Sequence, residues 1–262
     1  MNSSRPKAPV WAFGILFGVL FILYLPIAVM IVSSFLVRTG HWMLSLTWYR
    51  AVWRDKSLIA ALFRSLEVGL AASSISTIIG GFAAIALIKS KFRFGQTVNA
   101  LSYLSLVVPE LVFGLSLLSW FFVLHITLSL FTVILAHVTF CLCFVLMTVN
   151  GRLVALDATI EDAARDLGAG EWRILAKVTL PLILTSLLSG FLLAFLLSFD
   201  DFLITFFTCG VGSDTLPIRL YAAMKAGLTP KLSALATLML LFTVALILLL
   251  KWARGLRIFT QM

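Results

Sequence analysis

Six long apolar runs dominate the chain, at roughly residues 10–36, 58–88, 97–124, 128–149, 182–207 and 233–252. Each reaches the ~20 residues a helix needs to cross a hydrocarbon core about 30 Å thick. The pattern therefore predicts an all-α integral membrane protein with six transmembrane helices. The first run has no small-residue cleavage site behind it and reads as a retained span rather than a signal peptide. Gly69 and Gly80-Gly81 lie inside the second, where small residues let helices approach closely.

Two polar segments separate these runs. Residues 150–180 carry nine of the 31 charges. Within them Thr159-Ile160-Glu161-Asp162 has the spacing of a capping box, with Thr159 as N-cap. Ala163, Ala164 and Leu167 continue that helix, and Gly168 suits a left-handed C-terminal turn. A second short helix is expected from about Glu171 to near Pro181, giving a helix–turn–helix element over about 157–181. Residues 208–232 hold a short helix after Asp214-Thr215, carrying Ile218, Tyr221 and Met224. Thr229-Pro230 reads as N-cap and N1 of the last span.

Composition narrows the class further. Hydrophobic residues make up 61% of the 262 and charged residues 12%, with a mean hydropathy of +1.10. A soluble domain carries about twice that charge, so a soluble enzyme, a disulfide scaffold and a disordered chain are excluded. The net charge of +9 fits cytoplasmic loops and anionic headgroups rather than nucleic acid. Twelve Lys and Arg residues fall on the side of the termini and eight on the other, which places both termini in the cytoplasm. Cys141, Cys143 and Cys209 read as small core residues, and His41, His125 and His137 have no metal-ligand spacing. His137 reads as a hydrogen-bonded packing residue. Trp42, Trp48, Tyr49 and Trp53 suggest an outer interfacial belt.

At Asp162-Ala163-Ala164, three residues, Gly168, nine residues, then Val178-Thr179-Leu180-Pro181, the spacing resembles the EAA loop of ABC-transporter importer permeases. Asp162 stands where the family usually has Glu, and Val178 where it has Ile. The resemblance extends to the spermidine/putrescine importer permeases through Leu135-Ala136-His137-Val138-Thr139-Phe140-Cys141, Leu197-Ser198-Phe199-Asp200-Asp201 and Leu232-Ser233-Ala234-Leu235-Ala236-Thr237. It implies a single permease domain over 1–262 of the type I importer fold in the bacterial cytoplasmic membrane. It also implies a second homologous permease subunit, two ATP-binding cassette ATPases and an extracytoplasmic polyamine-binding protein. Glu161, Asp162, Ala163, Ala164, Gly168, Leu180 and Pro181 are then the candidate ATPase-coupling residues. The chain contains no G-x-x-x-x-G-K-[ST] loop. It is accordingly expected to bind no cofactor and to catalyse nothing itself, with ATP used on a partner subunit.

Acids inside the membrane are the remaining chemistry. Glu110 lies near the middle of the third run, and Asp200 and Asp201 lie in the outer part of the fifth. Neither run holds a Lys or Arg. A carboxylate at helix centre costs about 2.5–3.5 kcal/mol on insertion scales, so it faces a cavity or a partner. Pro109 bends the third run. Glu110, Asp200, Asp201 and Trp120 are the candidate substrate-path residues, suited to a linear polycation by charge pairing and cation–π contact. Two other roles stay open for the acids: pairing with a second permease subunit, or capping broken helices. Related permeases for other small solutes share several of the segments above, so another small cationic or polar solute is the alternative cargo. An ion-coupled carrier using Glu110 and an intramembrane enzyme using Asp200 and Asp201 are the readings from other classes.

Overall fold

The computed structural model describes residues 10–39, 41–89, 95–157, 159–227 and 229–258. Arg5, Lys7, Lys91 and Arg93, counted in the charge census, lie outside them. Among the described residues, five helices are long and apolar enough to cross a membrane. The chain forms two compact units. One is the chain up to Lys56 with Ala222–Phe242, and the other is Ser57–Tyr221 with the chain from Thr243 on.

In the smaller unit, α1 (Val10–Phe35) continues through Pro26 and leads into an antiparallel hairpin, β1 (Leu36–Thr39) with β2 (His41–Leu44), register Leu36 to Leu44. This hairpin is a small departure from the all-α expectation. The amphipathic α2 (Thr47–Arg54) follows. Two of its three aromatic residues turn inward, and the side chain of Trp42, grouped with them in the expected belt, lies outside what the structure describes. The Trp48 indole donates to the Leu36 carbonyl at 2.9 Å, and Tyr49 shares a 2.7 Å hydrogen bond with Ser34. Trp53 does face outward, 64% exposed. The other two turn inward because an indole N–H and a phenol need partners once half-buried.

The larger unit is built around α3 (Lys56–Lys89), α4 (Gly95–Val107), α5 (Glu110–Val123), α6 (Leu130–Val154), α7 (Thr159–Asp166), α8 (Glu171–Ile174), a π-helical turn (Leu175–Thr179), α9 (Leu180–Asp200) and α10 (Leu203–Thr208). The helices α11 (Leu216–Ala226) and α12 (Pro230–Ile258) complete the chain, the latter starting at the expected proline. The centre is the pairing of α6 with α9, whose Val145, Val149, Ile183 and Ala194 are fully buried. On α3 the buried positions are mostly small, among them Ala72, Ser73, Ser76, Gly80, Gly81 and Ala84. A Cβ at Gly80 would stand 3.1 Å from both the Leu142 carbonyl oxygen and a Val145 methyl, so glycine there sets the α3–α6 approach. Gly80→Val is expected to cost about 1–3 kcal/mol through overpacking, read as a lowered unfolding temperature in detergent. An unchanged midpoint would refute the close packing.

Three expected helices differ from their sequence outline, and each difference sits at a proline or an acid. The third run is two helices, because Pro109 donates no N–H and disfavours helical backbone at Val108. Pro109 instead becomes the N-cap of α5. The helix from Glu171 does not end near Pro181. It widens into the π-helical turn just before the proline and runs on as α9, so that Glu171–Asp200 is one apolar rod. The wider turn accommodates the proline's ring and missing donor. The fifth run then breaks after Asp200, and α10 starts anew at Leu203.

Candidate functional site

The 157–181 element is held as a defined body. The Asp157 carboxylate accepts the Thr159 N–H at 3.0 Å, so Asp157 caps the helix and Thr159 is its first residue rather than its N-cap. That hydrogen bond holds the Asp157 carboxyl below its ordinary value. At the other end Gly168 has φ +78°. The Gly168 and Ala169 N–H groups return to the carbonyls of Arg165 and Ala164, a Schellman closure. Across the turn, Arg165 donates to Asp162 at 2.8 Å and to Glu171 at 3.0 Å, tying α7 to α8. The Arg165 hydrogen bond and charge hold the Glu171 carboxyl low.

Glu161, rather than Asp162, anchors the element inward. The Lys89 ammonium lies 2.7 Å from Glu161 and donates at 2.7 Å to the Thr179 hydroxyl, which itself donates to Glu161 at 2.7 Å. Three segments meet in this triad: the end of α3, the first turn of α7 and the π-helical turn that feeds α9. Partial burial pushes the Glu161 carboxyl up. Hydrogen bonds from Lys89 and Thr179, with the charges of Lys89 and Arg165, outweigh that and hold it below its ordinary value. Asp162 and Ala163 are exposed, Ala164 is half-buried, Leu180 packs against the core, and Pro181 is exposed on the first turn of α9. Leu167 is 89% exposed and Trp172 82%, two large apolar side chains in a segment rich in charge. Lys89, Thr179 and Trp172 were not singled out from the sequence. Lys89 and Thr179 are 90 residues apart in the chain, while an exposed Trp in a polar loop is a signal that could have been read.

The intramembrane acids lie around one cavity of about 430 Å³, lined by Glu110, Leu196, Leu197, Asp200, Asp201, Phe202, Leu203, Thr243 and Ile247. Three carboxylates line it and no Lys or Arg does. The broken helices put them there. Glu110 is the first residue of α5, and Asp200 is the last of α9 and accepts the Thr243 hydroxyl at 3.1 Å. Asp201 follows with extended backbone (φ −66°, ψ 132°). Its side chain is only 5% exposed, and it receives the N–H groups of Ile204 and Thr205 at 3.3 and 2.8 Å. Asp201 thus takes the helix-capping role left open above, while Glu110 and Asp200 are exposed. Trp120 does not line this cavity. It lies ten residues along α5 from Glu110, about 15 Å at 1.5 Å per residue, and is 59% exposed. The aromatic ring at the cavity is Phe202.

Comparison with known proteins agrees with this architecture. Residues 76–257 match the family model of the binding-protein-dependent transport system inner membrane component. The spermidine/putrescine transport system permease protein PotC of Haemophilus influenzae is 40% identical over 230 residues, covering 87% of this chain and 90% of that protein. The putrescine transport system permease protein PotI of Escherichia coli K12 is 35% identical over 252 residues, covering 92% and 89%. A solved bacterial ABC transporter involved in import of the acidic polysaccharide alginate shares the fold, with a TM-score of 0.69 over 94% of this chain and 99% of its own, at 17% identity. The chain belongs to the family of binding-protein-dependent transport system inner membrane components, as a multi-pass permease subunit of a bacterial inner-membrane ABC importer.

Proposed function

We propose that this permease forms the path for spermidine or putrescine, driven by ATP hydrolysis on separate subunits. The observation that carries the cargo assignment is the cavity at Glu110, Asp200 and Asp201, acidic and without a cationic side chain. Such a site favours ammonium groups spaced along a flexible chain, each able to meet a carboxylate in a low-dielectric setting. Relatives named for the same two polyamines support it. A small cationic solute of another kind would use the same charges and is the alternative.

Two ATPase subunits dock at the 157–181 elements of this chain and of a second, homologous permease, and a binding protein delivers the polyamine from outside. Leu167 and Trp172 supply the apolar contact on this chain's side. When the ATPases close on ATP, the motion of α7 passes through Glu161 to Lys89 on α3 and to Thr179 at the base of α9. The cavity at the far end of α9 then changes the side to which it opens. An ion-coupled carrier built on Glu110 does not fit a chain of a binding-protein-dependent family.

Uptake of labelled spermidine and putrescine by cells with and without the gene, with ATP-depleted controls, tests the assignment. Loss of a saturable, ATP-dependent component is expected. Unchanged uptake in a strain with no other polyamine importer removes the polyamine reading.

A further inference from the structure

His137 lies on α6, 1% exposed, and no step described above uses it. Its two ring nitrogens reach opposite sides of the break in the fifth span. Nδ1 is 2.6 Å from the Ser198 hydroxyl on α9, and Nε2 is 3.0 Å from the Thr205 hydroxyl on α10. Nε2 also lies 3.3 Å from Asp201 Oδ2. The proton positions follow from the partners. The Thr205 hydroxyl spends its single proton on Asp201 Oδ2, at 2.9 Å, so toward the ring it can only accept, and Nε2 carries hydrogen. Ser198 pairs with the other ring nitrogen, Nδ1. One imidazole therefore bridges the last turn of α9 and the first turn of α10, with its Nε2–H beside the buried carboxylate that caps α10.

We propose that His137 is a positioning residue for the translocation path: it sets the angle of the break between α9 and α10, holds Asp201 in the core and so presents Asp200 to the cavity. The geometry requires a cross-brace of this kind. Asp200 ends one helix and Asp201 starts the turn to the next, so its direction depends on how the two segments are held relative to each other. Between them the chain supplies only Asp201 and Phe202. A buried polar network is worth most when every member has a partner, and here Ser198, Thr205, Asp201 and both imidazole nitrogens all do. The proposal rests on Asp200 facing the transported solute. It adds that α6, a helix lining no part of the cavity, governs that facing.

The test reads the direction of position 200 without using any substrate. Asp200→Cys is introduced into the assembled transporter in membrane vesicles, and its reaction rate with a cationic, membrane-impermeant methanethiosulfonate is measured. The labelling of Cys141, Cys143 and Cys209 in the parent is subtracted. His137→Gln, whose amide reaches the Nε2 position, is expected to keep the rate within about twofold. His137→Asn, which reaches only the Nδ1 position, and the isosteric Thr205→Val are each expected to lower it at least fivefold at equal membrane level. Either of these two variants alone decides. An unchanged rate overturns the proposal, and so does an equal loss in His137→Gln and His137→Asn, which marks a packing role. Because the reagent is not the cargo, these rates together with no polyamine import by the parent transporter, its Asp200 intact, refute the cargo assignment and leave the positioning role intact.

Discussion

Glu110→Gln and Asp200→Asn are each expected to raise the half-saturation concentration for polyamine uptake about ten- to a hundredfold, with protein levels unchanged. The size follows from the chemistry. A charge-assisted hydrogen bond contributes about 1.5–3 kcal/mol, and each 1.4 kcal/mol is a factor of ten in affinity. Both carboxylates are exposed at the cavity, and the amides preserve shape while removing charge. Asp201→Asn is expected to behave differently. Its carboxylate caps α10 and meets His137, so its loss is expected to reduce folding and membrane accumulation as well as uptake. Transport assays at matched expression, with immunoblots of the membrane fraction, separate the two patterns. Unchanged affinity in Glu110→Gln and in Asp200→Asn would sink the acidic-cavity reading, and identical behaviour of Asp200→Asn and Asp201→Asn would sink the division of labour.

Breaking the Lys89–Glu161–Thr179 triad is expected to uncouple rather than to unfold. Lys89→Met or Glu161→Ala leaves a half-buried charge without its partner, a loss of about 1–3 kcal/mol at the joint. Solute moved per ATP hydrolysed in proteoliposomes is expected to fall at least tenfold while hydrolysis persists. The reversed pair Lys89→Glu with Glu161→Lys is expected to recover part of the ratio, which a loss of helix propensity could not explain. The pH dependence has a definite sign. The Glu161 carboxyl titrates below its ordinary 4.5 in the folded protein, so the tie is fully present above that value and is lost only as pH falls through the lower, folded one. Coupling is therefore expected to be flat from about pH 5.5 to 8 as far as this group is concerned. A midpoint inside that window that disappears in Glu161→Gln would show that the carboxylate is not held low.

Legibility from sequence followed the range of the interactions. The start of the last helix at Pro230, the left-handed Gly168 and the short helix after Asp214-Thr215 are local matters of dihedral preference and capping. The structure has each of them. Pro109 and Pro181 show where local rules stop. Both prolines were visible, yet one splits a span and the other is absorbed by a π-helical turn. A proline's cost can be met by a break or by a wider turn, and neighbouring packing chooses between them. Trp120 was grouped with Glu110 by their common helix, but ten residues of rise separate them.

The sequence by itself determined the membrane-spanning character, the position of the 157–181 element and which residues carry charge within the apolar runs. Each of these follows from the cost of placing side chains in water or hydrocarbon, and that cost belongs to single residues and short windows. Only the tertiary structure decided the roles of those charges. Glu161 rather than Asp162 reaches Lys89, and Asp201 rather than Asp200 is taken into the core by His137. Neighbours in sequence there differ by one step of backbone direction, and the partners that select between them lie 64 to 72 residues away in the chain.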